Sequence, residues 1–555
     1  MKRREQSQTE QLKQALTERE AQLQEARARL ATLEASTSLQ VGRALTSAAK
    51  RPGRSLVRLP RDLYRLWRRS GESRHVQRRQ SAAPIRSFDA ERQEARLLTG
   101  LAGFGEERLV AATVVGPEVQ AAVEPYVRCV PLRPHDAQIV MDGVDVDLVL
   151  VSSSAAGAGS PWAHVGDPAT ADRTRSLHWV LEEAAARGVP TVLLDDAPAP
   201  PGLRALGFDR VHEGDAGVPL HLFNPVAAAL ATGTRAVYVR AREDEPVPEI
   251  LADLGARVVD ADAPDLAEAL RAANVAVVAE GTPSTERLRR RASACGARVV
   301  GHTPLPGPGA EDLAVSVPRL REDGPSASQQ RALLRQVFLD EATPVRLAAV
   351  LDGLDVAPGT AGARLPLRGR QVAVLAEPGG EAEAERLAAE LLASRLRPAE
   401  VVVPAAAATL EGVRRLRSEG VAVRTVRDGS PGTDRWAVLA ERATSPWAHP
   451  WRGNLTEQRL ADLVCAAECS GADAVGTPDT DGEPLDGRGF LDRPTAQYVF
   501  VGSVTPELAR TGLLRRGWDP REWNRRGGRL LALGQDHGAG GDDPAHTAAS
   551  TGAVG

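Results

Sequence analysis

Residues 274–302, NVAVVAEGTPSTERLRRRASACGARVVGH, run from an apolar segment of strand length through an acidic turn into a helix, then out through glycine into a second apolar run. Val275 to Ala279 form the first run, and Glu280, Gly281 and Pro283 mark the turn. The helix covers about 285–295, and Gly296 separates it from the run at 298–300. Strand, turn, helix, glycine and strand is the unit that builds a parallel sheet. In such sheets ligands sit beyond the carboxyl ends of the strands, where a helix N-terminus offers N–H groups to a phosphate.

A chain of 555 residues is too long for one core, so three to four units of ordinary size are expected. No apolar run approaches the ~20 residues of a membrane span. The charged N-terminus lacks the apolar core of a signal peptide, so a cytoplasmic protein is expected. Arginine, alanine, glycine and proline dominate as in a high-GC genome. The four cysteines, Cys129, Cys295, Cys465 and Cys469, form no CxxC pair. They read as buried free thiols rather than zinc ligands.

Residues 8–36 place Leu16, Leu23 and Leu30 on one heptad position and Leu12, Arg19, Ala26 and Leu33 on the other. A short coiled coil over 1–40 and a homodimer through 8–36 follow, with a lone solvated helix as the alternative. Residues 41–86 are strongly basic. Arg58, Arg61, Arg65, Arg68 and Arg69 alternate with leucines and Trp67, which suits an anionic membrane surface touched by 54–69 or a linker helix docked on an acidic body. No nucleic-acid motif accompanies the charge, and no nucleic-acid partner is expected.

From residue 87 short apolar runs alternate with helices. Strands are expected at 109–115, 147–152 and 191–195, with a Gly/Ser-rich loop at 152–162 and a helix at 174–187. A second half, 227–356, carries strands near 235–240, 257–259, 275–279 and 298–300, then helices at 328–339 and 344–354. Proline and glycines make 357–370 a linker. A third unit, 371–534, begins with strand 371–376, helix 381–394, strand 400–403, helix 410–418 and strand 421–426. The tail 535–555 lacks periodicity.

Residues 294–300, ACGARVV, resemble the ACG-x-P-V-V signature of GT-B glycosyltransferases, with Arg298 where that family has proline. The ordered series 147–152, 157–162, 188–192, Asp195-Asp196-Ala197-Pro198, 208–211 and Phe223-Asn224-Pro225 resembles the CgeB-like spore-maturation glycosyltransferases over about 88–355. Residues 461–464, 470–476, 498–504 and 506–517 are similar to the GT-A glycosyltransferases, the last two stretches to a later strand and helix of that family. The fold these resemblances imply is α/β: an N-terminal coiled-coil helix, GT-B-like twin Rossmann domains, then a GT-A-like α/β domain.

A sugar transferase must hold a nucleotide diphosphate as charge grows on it and must deprotonate an acceptor hydroxyl. For the donor, the candidates are Gly157 and Gly159 in the loop, then Glu280, Gly281, Ser284, Thr285, Glu286 and Arg287 at the helix start, with Gly296. For the base, they are His164 just past the loop and Asp195 and Asp196 at a strand end. Arg291 occupies the position where the GT-B pattern has a glutamate. The stretch His449-Pro450-Trp451-Arg452-Gly453-Asn454 holds no acid where the GT-A pattern has Asp-x-Asp. Asp479 and Asp481 follow the wrong strand. No metal and no cofactor are therefore expected; the nucleotide sugar is a substrate. The resemblance implies transfer of a sugar to a cell-envelope or spore-surface glycan, on the inner face of the membrane. The two departures imply instead an inactive scaffold for envelope polysaccharide enzymes.

Overall fold

The computed structural model describes residues 108–225, 236–240, 247–279, 283–302, 313–322, 327–356, 362–427, 434–478 and 504–533. The expected coiled coil, the basic helix, the tail, Glu280, Gly281, Asp479 and Asp481 lie outside them.

Five parallel strands form the first sheet: β1 Val110–Val114, β2 Arg128–Pro131, β3 Leu148–Ser152, β4 Thr191–Asp195 and β5 Arg210–Glu213. Their order is β2-β1-β3-β4-β5. The chain leaves β1 in one direction and returns to β3 on its other side, so the crevice between β1 and β3 is a topological switch point. β3 is buried along its whole length, as expected for a parallel strand covered on both faces. The strands β2 and β5 carry no continuous apolar run, and the sequence pattern does not mark β2 at all.

The second sheet repeats the opening of that topology. Its strands are β6 Ala236–Arg240, β7 Arg257–Asp260, β8 Val275–Ala279 and β9 Arg298–His302, ordered β7-β6-β8-β9 and all parallel. The helix Pro283–Ala294 joins β8 to β9. The expected βαβ unit is thus present with its strand ends moved by no more than two residues.

The third sheet has seven strands in the order β12-β11-β10-β13-β15-β14-β16. They are β10 Val372–Leu375, β11 Glu400–Pro404, β12 Ala422–Val426, β13 Trp447–Pro450, β14 Ala474–Pro478, β15 Val504–Arg510 and β16 Leu530–Ala532. β15 runs antiparallel to both β13 and β14. This corrects the expected helix at 506–517: Pro506 lies in the strand, and only Thr511–Leu514 are helical. Pro506 pairs with Gly476 where the register shifts at Val475/Gly476, an irregularity of the kind that accommodates proline in a sheet. A Cβ on Gly476 would stand 2.0 Å from the Thr505 carbonyl oxygen, so the close approach needs glycine.

The segment read as a linker is also more ordered than expected. Gly362–Arg370 is a 3-10 helix, and Arg370 at its end is buried. Its guanidinium lies over the Phe338 ring at 3.8 Å and holds Glu468 through two hydrogen bonds of 2.7 and 2.9 Å.

The second and third sheets do not form separate cores. Leu334 of the helix Ala327–Gln336 packs with the second sheet, and the same apolar cluster continues through Phe338 into Leu463 and Val464 of the third module. The chain then passes through a π-helical turn, Val337–Glu341, into the helix Thr343–Leu351. That helix returns to the first sheet, where Leu347, Val350 and Leu351 pack against Leu109, Ala111 and Leu148. Among the described residues no helix is long and apolar enough to cross a membrane.

Candidate functional site

At the carboxyl end of β3 the chain reads Ser152-Ser153-Ser154, and these hydroxyls and amides organise the switch point. The Gly116 amide donates to Ser152 Oγ at 3.1 Å, and the Ser152 and Ser154 hydroxyls are 2.8 Å apart. Ser153 Oγ donates to Asp195 Oδ1 at 2.7 Å, and the Ser154 amide donates to Asp196 Oδ1 at 3.0 Å. A Cβ on Gly116 would lie 2.7 Å from Ser154 Oγ, so β1 and β3 close on each other only because that residue is glycine. Both aspartates are half-buried. Arg204 approaches Asp195 at 3.4 Å. Burial pushes the Asp196 carboxyl up, opposed by the Ser154 hydrogen bond and by the charge of Arg287.

The Gly/Ser-rich loop forms the wall beside these acids. Trp162 is buried and donates from Nε1 to the Leu132 carbonyl at 2.8 Å. Gly166, with φ of 91°, leaves no room for a side chain: a Cβ would stand 2.3 Å from the Leu203 amide nitrogen. Loop and post-β4 turn are therefore pressed together at Gly166 and Leu203. His164 itself is exposed and is the sole non-glycine residue with positive φ among those described, at 61°. Its backbone is held by the Ala156 carbonyl, which accepts from the His164 amide at 2.8 Å. Gly157 lies against Ser154, whereas Gly159 borders open space.

The second half meets this crevice through the helix Pro283–Ala294. Arg287 Nη1 is 3.6 Å from Glu118, just beyond β1, and Arg291 Nη2 pairs with the same carboxylate. Arg290 is 3.6 Å from Asp215 and 3.2 Å from Glu341. One helix face thus presents three guanidiniums to acids of the first half and of the crossing connection. Thr285 is buried, Glu286 projects into solvent, and Ser284 lies within the first turn. The donor candidates separate accordingly: Arg287 acts on Asp196, Thr285 is buried in the first turn, and Glu286 faces solvent.

Gly296 stands elsewhere. It follows the helix C-terminus with φ of 87°, ahead of β9, at the end of the sheet opposite the strand carboxyl ends. A Cβ there would lie 1.6 Å from Gln330 Nε2. Its role in the fold is to end the helix and let the helix Ala327–Gln336 approach. We expect Gly296→Ala to lower stability by roughly 1–2 kcal/mol, because an L-residue is strained in the left-handed region. Nucleotide affinity should be unchanged, as urea unfolding and calorimetry on the same sample would register.

Arg291 has a packing role. It is buried, lies 4.8 Å over the Phe223 ring, and pairs with Glu118 across the two halves. The Phe223-Asn224-Pro225 stretch joins the same seam, since Arg271 donates to the Asn224 carbonyl at 3.1 Å and to that of Leu222. In the third module, His449 is a buried residue of β13 whose Nδ1 lies 2.7 Å from the Glu507 carbonyl. Among the described residues no group of three or more His, Cys, Asp or Glu side chains is arranged to hold a metal ion. Ser152, Ser153, Ser154, Gly116 and Glu118 were not among the sequence candidates. Three polar residues directly after an apolar strand are a local signal for them; the contribution of Glu118 depends on a partner 173 positions away.

No protein-family model matches the chain, and no curated protein matches it.

Proposed function

We propose that this chain is a glycosyltransferase-like protein that moves a sugar from a nucleotide-sugar donor to a cell-envelope or spore-surface glycan. The observation that supports this reading is the meeting of two crevices. The carboxyl end of β3, with Asp196 and Ser154, faces the first turns of the helix Pro283–Ala294, and Arg287 acts electrostatically on Asp196 across the gap. A helix N-terminus with an arginine suits a diphosphate, and a carboxyl raised by burial suits proton transfer. In this reading Arg287 and Thr285 hold the donor, while Asp196 takes the acceptor proton, positioned by Ser154. Asp195 orients Ser153, and His164 borders the acceptor side. Association with an anionic membrane through residues 54–69 and pairing of two chains through 8–36 would bring the protein to its acceptor.

A second reading, a scaffold that retains the folds without catalysis, is favoured by a specific observation. Arg287, Arg290 and Arg291 already face Glu118, Asp215 and Glu341, so the protein's own acids partly neutralise the charge a diphosphate would meet.

Because the second and third sheets share a core, the test uses the full chain. Calorimetric titration with nucleoside diphosphates and nucleotide sugars, with and without Mn²⁺, should give micromolar, metal-independent binding. Arg287→Ala should weaken it at least tenfold. A folded chain that binds none of these molecules would leave only the scaffold.

A further inference from the structure

A cavity of about 280 Å³ opens between the first and third modules, at the strand ends opposite the cleft described above. Arg108 and Tyr126 reach it from just before β1 and β2. Arg368 and Arg370 come from the 3-10 connection, and Trp447 and Arg510 from the edge where β13 begins and β15 ends. Among its described lining residues Glu468 is the sole carboxylate. That acid is satisfied within the wall: Arg370 holds it with two hydrogen bonds, and the Tyr126 hydroxyl donates to it at 2.8 Å. Burial and this carboxylate together push the Tyr126 phenol up, so it stays a donor.

The remaining cationic lining is Arg108, Arg368 and Arg510. A guanidinium has five N–H donors, so one engaged by the chain still has donors for a ligand. Arg510 lies 4.0 Å over the Trp447 ring. Burial draws its pKa down to about 10, with Asp473 only partly opposing, which marks surroundings poor in water where an added anion interacts strongly. Pro125, Pro446 and Leu365 supply apolar wall beside these charges.

We propose that this cavity binds a small organic anion, a carboxylate or phosphate carried on a flat apolar body. Arg510 and Arg368 hold the anionic group, and Leu365, Pro125 and Pro446 receive the body. Such a ligand touches both modules at once and links them away from the proposed donor cleft.

Calorimetry on the full chain with phenyl phosphate, benzoate, inorganic phosphate and benzyl alcohol tests this. The expected result is saturable binding of phenyl phosphate, benzoate or both, at least tenfold tighter than inorganic phosphate, with no binding of benzyl alcohol. Arg368→Gln, on a half-buried residue of the connection, should weaken binding about tenfold while the unliganded chain stays folded. Arg510→Gln should weaken it at least as much, and Arg287→Ala should leave it unchanged. The proposal is overturned if neither aromatic anion binds the folded protein, if inorganic phosphate binds as tightly, or if Arg368→Gln and Arg510→Gln both bind as the parent does. It also fails if Arg287→Ala removes the binding, since the ligand would then occupy the cleft.

Discussion

Replacing Asp462 by alanine is expected to destabilise the protein by about 3–5 kcal/mol, the usual cost of leaving one partner of a buried ion pair alone. Asp462 lies on the helix Arg459–Ser470 and is 1% exposed, and Arg335 on the helix Ala327–Gln336 is 7% exposed. The carboxylate receives Arg335 Nε at 2.6 Å and Nη2 at 2.9 Å, a bidentate pair inside the seam between the second and third modules. Taking away the acid leaves a buried guanidinium without its bidentate partner. Because the apolar cluster is continuous across the seam, the loss should appear in both modules together, as one urea transition moved to lower concentration. Replacing both partners by apolar residues of similar volume should recover most of the loss. A change under about 1 kcal/mol for Asp462→Ala, against the usual cost of such a break, would show that the pair is open to water and that the modules fold separately.

Acid should destabilise the protein between pH 6.5 and about 4, well before most carboxylates titrate. Burial draws the His449 pKa down to about 4; the neighbouring Glu507 opposes this, while Arg459 and Arg452 reinforce it. The neutral ring donates from Nδ1 to the Glu507 carbonyl. Between pH 6.5 and 4 the unfolded chain binds a proton that the folded chain refuses, so stability falls as pH falls through that window and this contribution levels off below it. The full effect is about 3 kcal/mol. His212 and His221 are also held below their ordinary values by burial, and they act in the same direction. Glu507 and Glu400 are depressed carboxylates, so their contributions are lost only as pH falls further, through their folded values. The difference between the parent chain and His449→Leu isolates the histidine. Between pH 7.5 and 4.5 the parent should lose about 2–3 kcal/mol more unfolding free energy than His449→Leu, with pH 5.5 between. Parallel curves would mean that His449 takes up its proton in the folded state without penalty.

Much of the local architecture is legible in the residues. The helix Glu381–Ala393 and the strands β3, β4, β8 and β10 declare themselves through apolar runs, periodicity and the glycines or prolines that bound them, all signals carried within a dozen neighbours. Where the local signal is ambiguous the reading fails. Pro506 resembles the first residue of a helix, a position proline favours. It sits in β15 instead because Gly476, on the neighbouring strand, lets the two backbones approach. The candidate site divides in the same way. Asp195 and Asp196 are legible as acids at a strand end, and a helix start is legible at about residue 285, two residues after the observed start at Pro283. That Gly296 stands at the far end of the sheet follows only once the helix has been placed.

The sequence by itself determined the alternation of strand and helix, because propensity, periodicity and turn chemistry act over short separations. Tertiary structure decided which strands are neighbours, that the second and third sheets share a continuous interior, and what the charged residues do. Arg291 occupies a position where an acid was expected, yet the fold buries it between Phe223 and Glu118 as a tie across two halves. A charge acquires its role from the partner and the dielectric that surround it, and both are assembled from residues far apart in the chain.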